Sequence, residues 1–448
     1  MTTPRRATFA HATLPIPVRT PVRALLLLAA GITAFAAAST AVAQGPRPAG
    51  ARGPACERDN AGLVLPADVC ALTVASDLGA VRQLAVAPNG DLYAALSAGS
   101  AVTGHEDVTG GVLAFRDRDG DGVPDERARF GPGAGNDVKW RAGYLYFARN
   151  DQILRWRLTP GKLAPEGKPE PIVGHLPADG GHMAKSLAFG GGDTMYVNIG
   201  SGTNSCQETD RKPASPGKRP CPELAQRAGI WIFSADRSGQ TMADGRRFAG
   251  GVRNAMALAV EPVSRRLVGV VNGRDQLGDN WGYSPERNAE NPAEELIVPR
   301  AGEDYGWPYC YYDVARRRRL LAPEYGGDGT SAGECAHRAL PAFVFPAHWA
   351  PMAIAFAGEA ALAPAYRHGA FVAFRGSWNR APLPQAGYQV AFVTFAHGRP
   401  TGYRTFATGA EGPTSLRATG VAVAPDGSLY ISADRSGKIW HIIRKTIP

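Results

Sequence analysis

A few residues in this 448-residue chain have types and spacing suited to chemistry. His182 follows Gly180-Gly181, so a flexible backbone delivers an imidazole to the start of an apolar strand at Leu187. An imidazole that titrates near neutrality is a ready general base. Arg253 and Asn254, in Gly251-Val252-Arg253-Asn254, stand at the corresponding point before the next strand, at Leu258. A fixed guanidinium there can bind a carboxylate or stabilise developing negative charge. Arg417 precedes another such strand, at Val421, and is expected as another inward-directed cation. Asp117, Asp119, Asp121 and Asp125 alternate around glycines, a pattern that converges hard oxygen ligands on calcium. Ala128 stands where an EF-hand loop would carry its closing glutamate, so the expectation is a short structural calcium site or an acidic surface hairpin.

These residues must be positioned by a repeat. Leu84 to Tyr93 reads as apolar strand, Pro88-Asn89-Gly90 turn, apolar strand, and Val421 to Tyr430 repeats it around Pro425-Asp426-Gly427. Weaker copies begin near Val138, Leu187, Leu258 and Ile354. Third strands follow at Gly111 to Phe115, Gln152 to Trp156, Gly229 to Phe233 and Lys438 to Ile442. With 54 Gly and 36 Pro the composition suits short strands joined by turns. Six copies of a four-stranded unit close most simply as an all-β, six-bladed β-propeller. A pair of β-sandwiches would not explain the recurrent turn.

The N-terminus reads as an export signal. Arg19 and Arg23 precede an apolar run from Ala24 to Ala38, and Ala41-Val42-Ala43 supplies a small-residue cleavage site before Gln44. The run is shorter than the roughly 20 residues of a membrane span, and no other stretch could span one. The expected organisation is a signal over 1–43, an N-terminal segment over 44–74 and the propeller over 75–448, in a periplasmic or secreted protein. Without the first 43 residues the formal charge falls from +9 to +5. Arg316 to Arg319 is a local basic patch on a solvated loop, and there is no nucleic-acid signature. Six cysteines agree with an oxidising compartment. Short loops favour the local pairs Cys56 with Cys70, Cys206 with Cys221, and Cys310 with Cys335, among the several connectivities six cysteines allow. No Cys-x-x-Cys-His is present, so no c-type haem is expected on this chain.

His182 before Leu187, Gly251-Val252-Arg253-Asn254, Gly306-Trp307-Pro308 and Gly376-Ser377-Trp378-Asn379-Arg380 come in one order over about residues 75 to 445. In that combination the chain resembles the glucose/sorbosone dehydrogenase family, particularly its sorbosone-dehydrogenase-like branch. The resemblance implies a six-bladed propeller holding pyrroloquinoline quinone (PQQ) with calcium. It also implies oxidation of a small-molecule aldose or related aldehyde or alcohol. It implies His182 as the base, Arg253 and Asn254 beside the quinone's reactive edge, and Arg417 near its carboxylates. The backbone carbonyls of Gly273 and Arg274 would then face the cofactor's calcium. Two positions depart from the pattern: Arg375 and Asn272 stand where relatives often carry His. Arg375 could contact a cofactor carboxylate or block the pocket. Two other classes stay open: a calcium-dependent lactonase-type hydrolase, which would want carboxylates around an axial metal, and a propeller that only binds a glycan or protein.

Overall fold

The two best copies of the repeat fold identically. In each, the residue before proline pairs across the turn: Ala87 N donates to Asp91 O at 2.9 Å and Ala424 N to Ser428 O at 2.8 Å. Gly90 and Gly427 take positive φ values of 90° and 86°, which the turn requires. The strands leave these turns in the same register, Ala85 opposite Tyr93 and Ala422 opposite Tyr430.

The computed structural model describes residues 53–100, 105–360 and 362–445. The six innermost strands are Val81–Val86, Gly135–Arg141, Lys185–Phe189, Ala257–Val260, Pro351–Phe356 and Ala418–Val423, each at the edge of its own antiparallel sheet. Blades I to VI are numbered in that order, and the fold is the expected six-bladed propeller. The gaps between blades are filled by apolar clusters. Tyr93, Phe147 and Trp156 lie between blades I and II, Leu187, Trp231 and Phe233 between II and III, and Ile230, Leu258 and Ile297 between III and IV. Phe345, Val372 and Phe374 lie between IV and V, Phe371, Phe392 and Trp440 between V and VI, and Leu84, Phe115 and Ile439 between VI and I.

Closure comes from the N-terminal side. Val69–Ala75 is the outermost strand of blade VI, paired with Lys438–Arg444. Leu63–Val64 pairs with Arg399–Gly409 at the outside of blade V. The propeller therefore begins at Leu63, and the boundary expected at residue 75 falls inside its closing strand. The predicted signal over 1–43 lies outside the described residues.

At the axis, Gln83 is almost fully buried and its Nε2 donates to Met256 O and Met352 O, both at 2.9 Å, and to Ser186 Oγ at 3.2 Å. Lys139 Nζ donates to Gln83 Oε1 at 3.3 Å. One amide thus ties blade I to blades II, III, IV and V. Long connections in blades III and IV carry two of the three disulfides, Cys206–Cys221 and Cys310–Cys335, and the third, Cys56–Cys70, anchors the closing strand.

Two outcomes follow. Gln83→Leu keeps the volume but strands buried carbonyls, and should cost about 1–3 kcal/mol in denaturant unfolding. Thiol titration of the denatured, non-reduced protein should find no reactive thiol, and six after reduction.

Candidate functional site

In each blade the innermost strand starts, and the second strand ends, on the same face of the ring. Residues just before the first or just after the second therefore gather around one mouth of the axis. His182, Arg253, Asn254, His348 and Arg417 hold the first kind of position. Ser201, Asn272, Gly273, Arg274, Asp275 and Asp434 follow second strands, and Arg375 ends one.

His182 is set by close backbone packing. Gly181 N donates to Gly202 O at 2.7 Å, and a Cβ on Gly180 would lie 2.5 Å from that same oxygen. The imidazole Nδ1 lies 2.9 Å from both Ser201 O and Ser201 Oγ. A carbonyl only accepts, and the Ser201 hydroxyl donates to Thr203 O at 2.7 Å, so Nδ1 carries the proton. Nε2 is left as the basic nitrogen. Burial, and then the charge of Arg253, push the His182 pKa down to about 3, so the ring is neutral near pH 7. Asn254 stands beside it: a Cβ on Gly200 would fall 2.7 Å from His182 Cβ and 2.9 Å from Asn254 Oδ1. Asn254 Oδ1 accepts from Asn198 Nδ2 at 3.0 Å.

Arg253 is buried, and its fork is bonded on every nitrogen. Nε donates to Asn204 O at 3.2 Å, Nη1 to Gly273 O at 2.6 Å, and Nη2 to Asn204 Oδ1 at 2.9 Å and Asp275 Oδ2 at 3.1 Å. Its role in this arrangement is to hold the loop after Val271 against the blade III loop. Asp275 is the anionic centre. Burial would raise its pKa, but Arg253 and Arg211 hold it below the ordinary value. Arg211 Nη2 donates to Asp275 Oδ2 at 3.3 Å, and His348 Nδ1 lies 3.8 Å from Oδ1. His348 Nε2 donates to Asn288 O at 2.7 Å. Behind this group Glu294 accepts from Gly273 N at 2.8 Å and Ala350 N at 2.9 Å, and burial pushes its pKa up to about 7.

A second group of cations gathers on the blade V and VI side. Arg82 Nη1 lies 3.0 Å from Asp434 Oδ2 and Arg375 Nε 2.8 Å from the same oxygen. Asp434 is fully buried. Arg417 lies over the Tyr388 ring at 5.0 Å and feels Arg375, Arg435 and Asp434, while burial lowers its pKa. Two guanidinium groups thus share one carboxylate oxygen, with Arg417 close by. Bonds link this group to the first: Arg82 Nε donates to Asn136 Oδ1 at 3.1 Å, and Asn136 Nδ2 to Lys185 O at 3.1 Å, three residues after His182.

The geometry answers the sequence reading residue by residue. His182, Arg253 and Asn254 come together, and Arg375 and Arg417 meet in the neighbouring cation group. The carbonyl of Gly273 accepts from Arg253, so a dication on that oxygen would lie against a guanidinium. The Arg274 side chain leaves the mouth to pair with Glu324. Asp117, Asp119 and Asp125 bring their carboxylates within 4.8 Å of one another, while Asp121 accepts from Val123 N instead. Sequence reasoning missed Arg82, Ser201, Arg211, Asp275, Glu294 and Asp434. Ser201, Asp275 and Asp434 share one signal, a polar residue just past the second strand of a repeat.

The fold has solved counterparts. A Trichoderma reesei Carbohydrate-Active Enzymes Family AA12 calcium structure superposes with a TM-score of 0.70 at 17% identity, over 86% of this chain and 97% of that one. The holo pyranose dehydrogenase PQQ domain of Coprinopsis cinerea gives 0.67 at 19%, over 89% and 99%. The PQQ-bound aldose sugar dehydrogenase of Streptomyces coelicolor gives 0.53 at 17%, over 85% and 100%. At these identities the likeness shows the propeller fold. An uncharacterized protein of Borreliella burgdorferi is 25% identical over 214 residues, 44% of this chain and 49% of its own length, so the chain spans about half of that relative. Residues 63–445 match the TrAA12-like family, and the chain belongs to that family.

Proposed function

We propose that this protein is an exported oxidoreductase that oxidises an aldose or a sorbosone-like aldehyde or alcohol with PQQ as its resident cofactor. Electrons would pass to a separate acceptor. The observation that carries the reading is His182: its Nδ1 is fixed as a donor by two Ser201 oxygens, and its Nε2 is left basic at the mouth of the ring. The solved counterparts named for PQQ and for sugar dehydrogenase activity support the same class. Three disulfides and the N-terminal export pattern support a periplasmic or secreted location.

The residues present suit a polyanionic quinone. Arg82 and Arg375 meet at Asp434 with Arg417 close by, and guanidinium groups at this mouth suit a ligand with three carboxylates. Arg375, where relatives often carry His, belongs to this group. When bound, the quinone would supply the hydride acceptor. His182 Nε2 accepts the substrate's hydroxyl proton, and Ser201 keeps the ring in the required tautomer. Asn254 fixes the other side of Gly200. Arg253 acts through its bonds, holding Asn204 and the Gly273–Asp275 turn in place. Because Gly273 O is taken by Arg253, no step is assigned to calcium at that oxygen.

The experiment is dye-coupled oxidation of an aldose panel by purified protein loaded with PQQ. His182→Ala should lower turnover roughly 10²–10⁴-fold while quinone binding survives. The base form is the neutral ring, which exists above its pKa. With that pKa near 3, kcat/KM should hold its plateau down to about pH 5, where an ordinary histidine base would already be protonated. An acid limb near pH 6.5 that persists in Ser201→Ala would assign the base to another group. Arg253→Lys should weaken quinone binding and lower the melting temperature together, because an ammonium cannot reproduce the five-donor fork.

A further inference from the structure

Trp378 is the bulkiest side chain left more than half exposed among the described residues, at 59%. Its neighbours are the reverse: Ser377 and Asn379 are buried. Ser377 N donates to Ala386 O at 2.9 Å, Ser377 Oγ donates to Gln385 Oε1 at 2.7 Å, and Asn288 Nδ2 donates to Asn379 O at 2.9 Å. The backbone is clamped on both sides of an indole that faces solvent. Leaving that much apolar surface in water forgoes the gain of burying it, so a rigidly presented indole marks a contact surface.

Arg211 sets the direction of this surface. Its guanidinium lies 5.9 Å from the Trp378 ring and donates to Gln276 Oε1 at 2.8 Å and Asp275 Oδ2 at 3.3 Å. One side chain therefore spans from the exposed indole to the carboxylate beside Arg253 and His348. Arg211 and Gln276 both hold positive φ, 59° and 64°, an unfavourable backbone for such residues that the surrounding loops enforce. The result is an apolar π-face adjoining a guanidinium, an amide and a carboxylate. A pyranose has the complementary surface: an apolar C–H face, and ring hydroxyls that both donate and accept.

From this juxtaposition we infer that Trp378, backed by Arg211, is a stacking platform for a saccharide ring at the mouth of the His182 site. It would take the non-reacting ring of a glycoside or oligosaccharide, with hydroxyls against Arg211, Gln276 and Asp275. The inference rests on the sugar reading of the same site and narrows its substrate class to saccharides longer than one ring.

The test is calorimetric binding of methyl β-cellobioside and methyl β-maltoside, each blocked at the anomeric carbon, to the full protein without a turnover assay. Wild type should bind at least one of them. Trp378→Ala should bind that ligand at least about tenfold more weakly, Trp378→Phe should recover most of the loss, and Arg211→Met should weaken binding with the indole intact. Equal binding by wild type and Trp378→Ala overturns the platform, as does failure of wild type to bind either glycoside. Binding through Trp378 without quinone-dependent turnover upholds the platform and removes the oxidoreductase reading. Quinone-dependent turnover with unchanged binding in Trp378→Ala removes the platform alone.

Discussion

The structure depends on how the edges of six innermost strands are satisfied at the axis. Each of these strands is the edge of its sheet, so its outward N–H and C=O groups have no ladder partner. Buried groups of that kind must be paired. The chain does this with polar side chains from neighbouring blades. Thr419 Oγ1 donates to Val81 O at 2.9 Å, Asn136 Nδ2 to Lys185 O, Ser186 Oγ to Met256 O at 2.6 Å and Asn272 Nδ2 to Pro351 O at 2.9 Å. Gln83 adds Met256 O and Met352 O. Every one of these bonds joins two blades near the start of an innermost strand. The same bonds that close the ring therefore fix the positions from which His182, Arg253 and Arg82 extend.

That end of the ring also carries left-handed backbone. Cys206, Arg211, Gln276, His348 and Ala350 all hold positive φ between 54° and 64°. Left-handed backbone in residues with side chains is uncommon and persists where surroundings over-determine it. Here the over-determination is visible: Asp275 Oδ2 accepts from Arg253 and Arg211, and Arg253 also donates to Asn204 and to Gly273 O. The loops around the mouth are thus held by buried charge pairing as much as by apolar packing. Such pairing fixes geometry at a desolvation cost, so it is better read as positioning than as stability.

What the sequence made legible, and what it concealed, follows the range of the interactions involved. The Pro-Asn-Gly and Pro-Asp-Gly turns are local chemistry, repeated because each blade needs the same hairpin, so six copies could be counted and the propeller inferred. His182, Arg253 and Asn254 were found because they precede strands of that repeat. The closing strand was not visible, because Val69–Ala75 finds its partner at Lys438–Arg444 and no local pattern announces a pairing across the whole chain. Asp434 escaped for the same reason: its partners, Arg82 and Arg375, come from two other blades. Asp275 follows Arg274 in an unremarkable polar stretch, and nothing in its neighbours reveals that Arg253 and Arg211 converge on it. Sequence could not show either that the Gly273 carbonyl, expected to face calcium, accepts from Arg253.

The orientation of His182 bears on how a base so weakly basic can serve. No carboxylate backs its Nδ1; a serine hydroxyl and a carbonyl do, and Arg253 disfavours the imidazolium further. A base with so low a pKa cannot ionise a ground-state sugar hydroxyl to any useful extent. It can accept the proton as hydride leaves the same carbon, because the hydroxyl proton then belongs to a forming carbonyl and becomes strongly acidic. In the proposed reaction a depressed pKa favours proton transfer that accompanies hydride loss over transfer that precedes it. The requirement on the protein then shifts from basicity to placement: the ring must stay neutral, in one tautomer and at one angle, until the carbon is oxidised. Ser201, Gly200 and the Gly181–Gly202 contact supply that placement, and they rest on the same inter-blade bonds that close the axis.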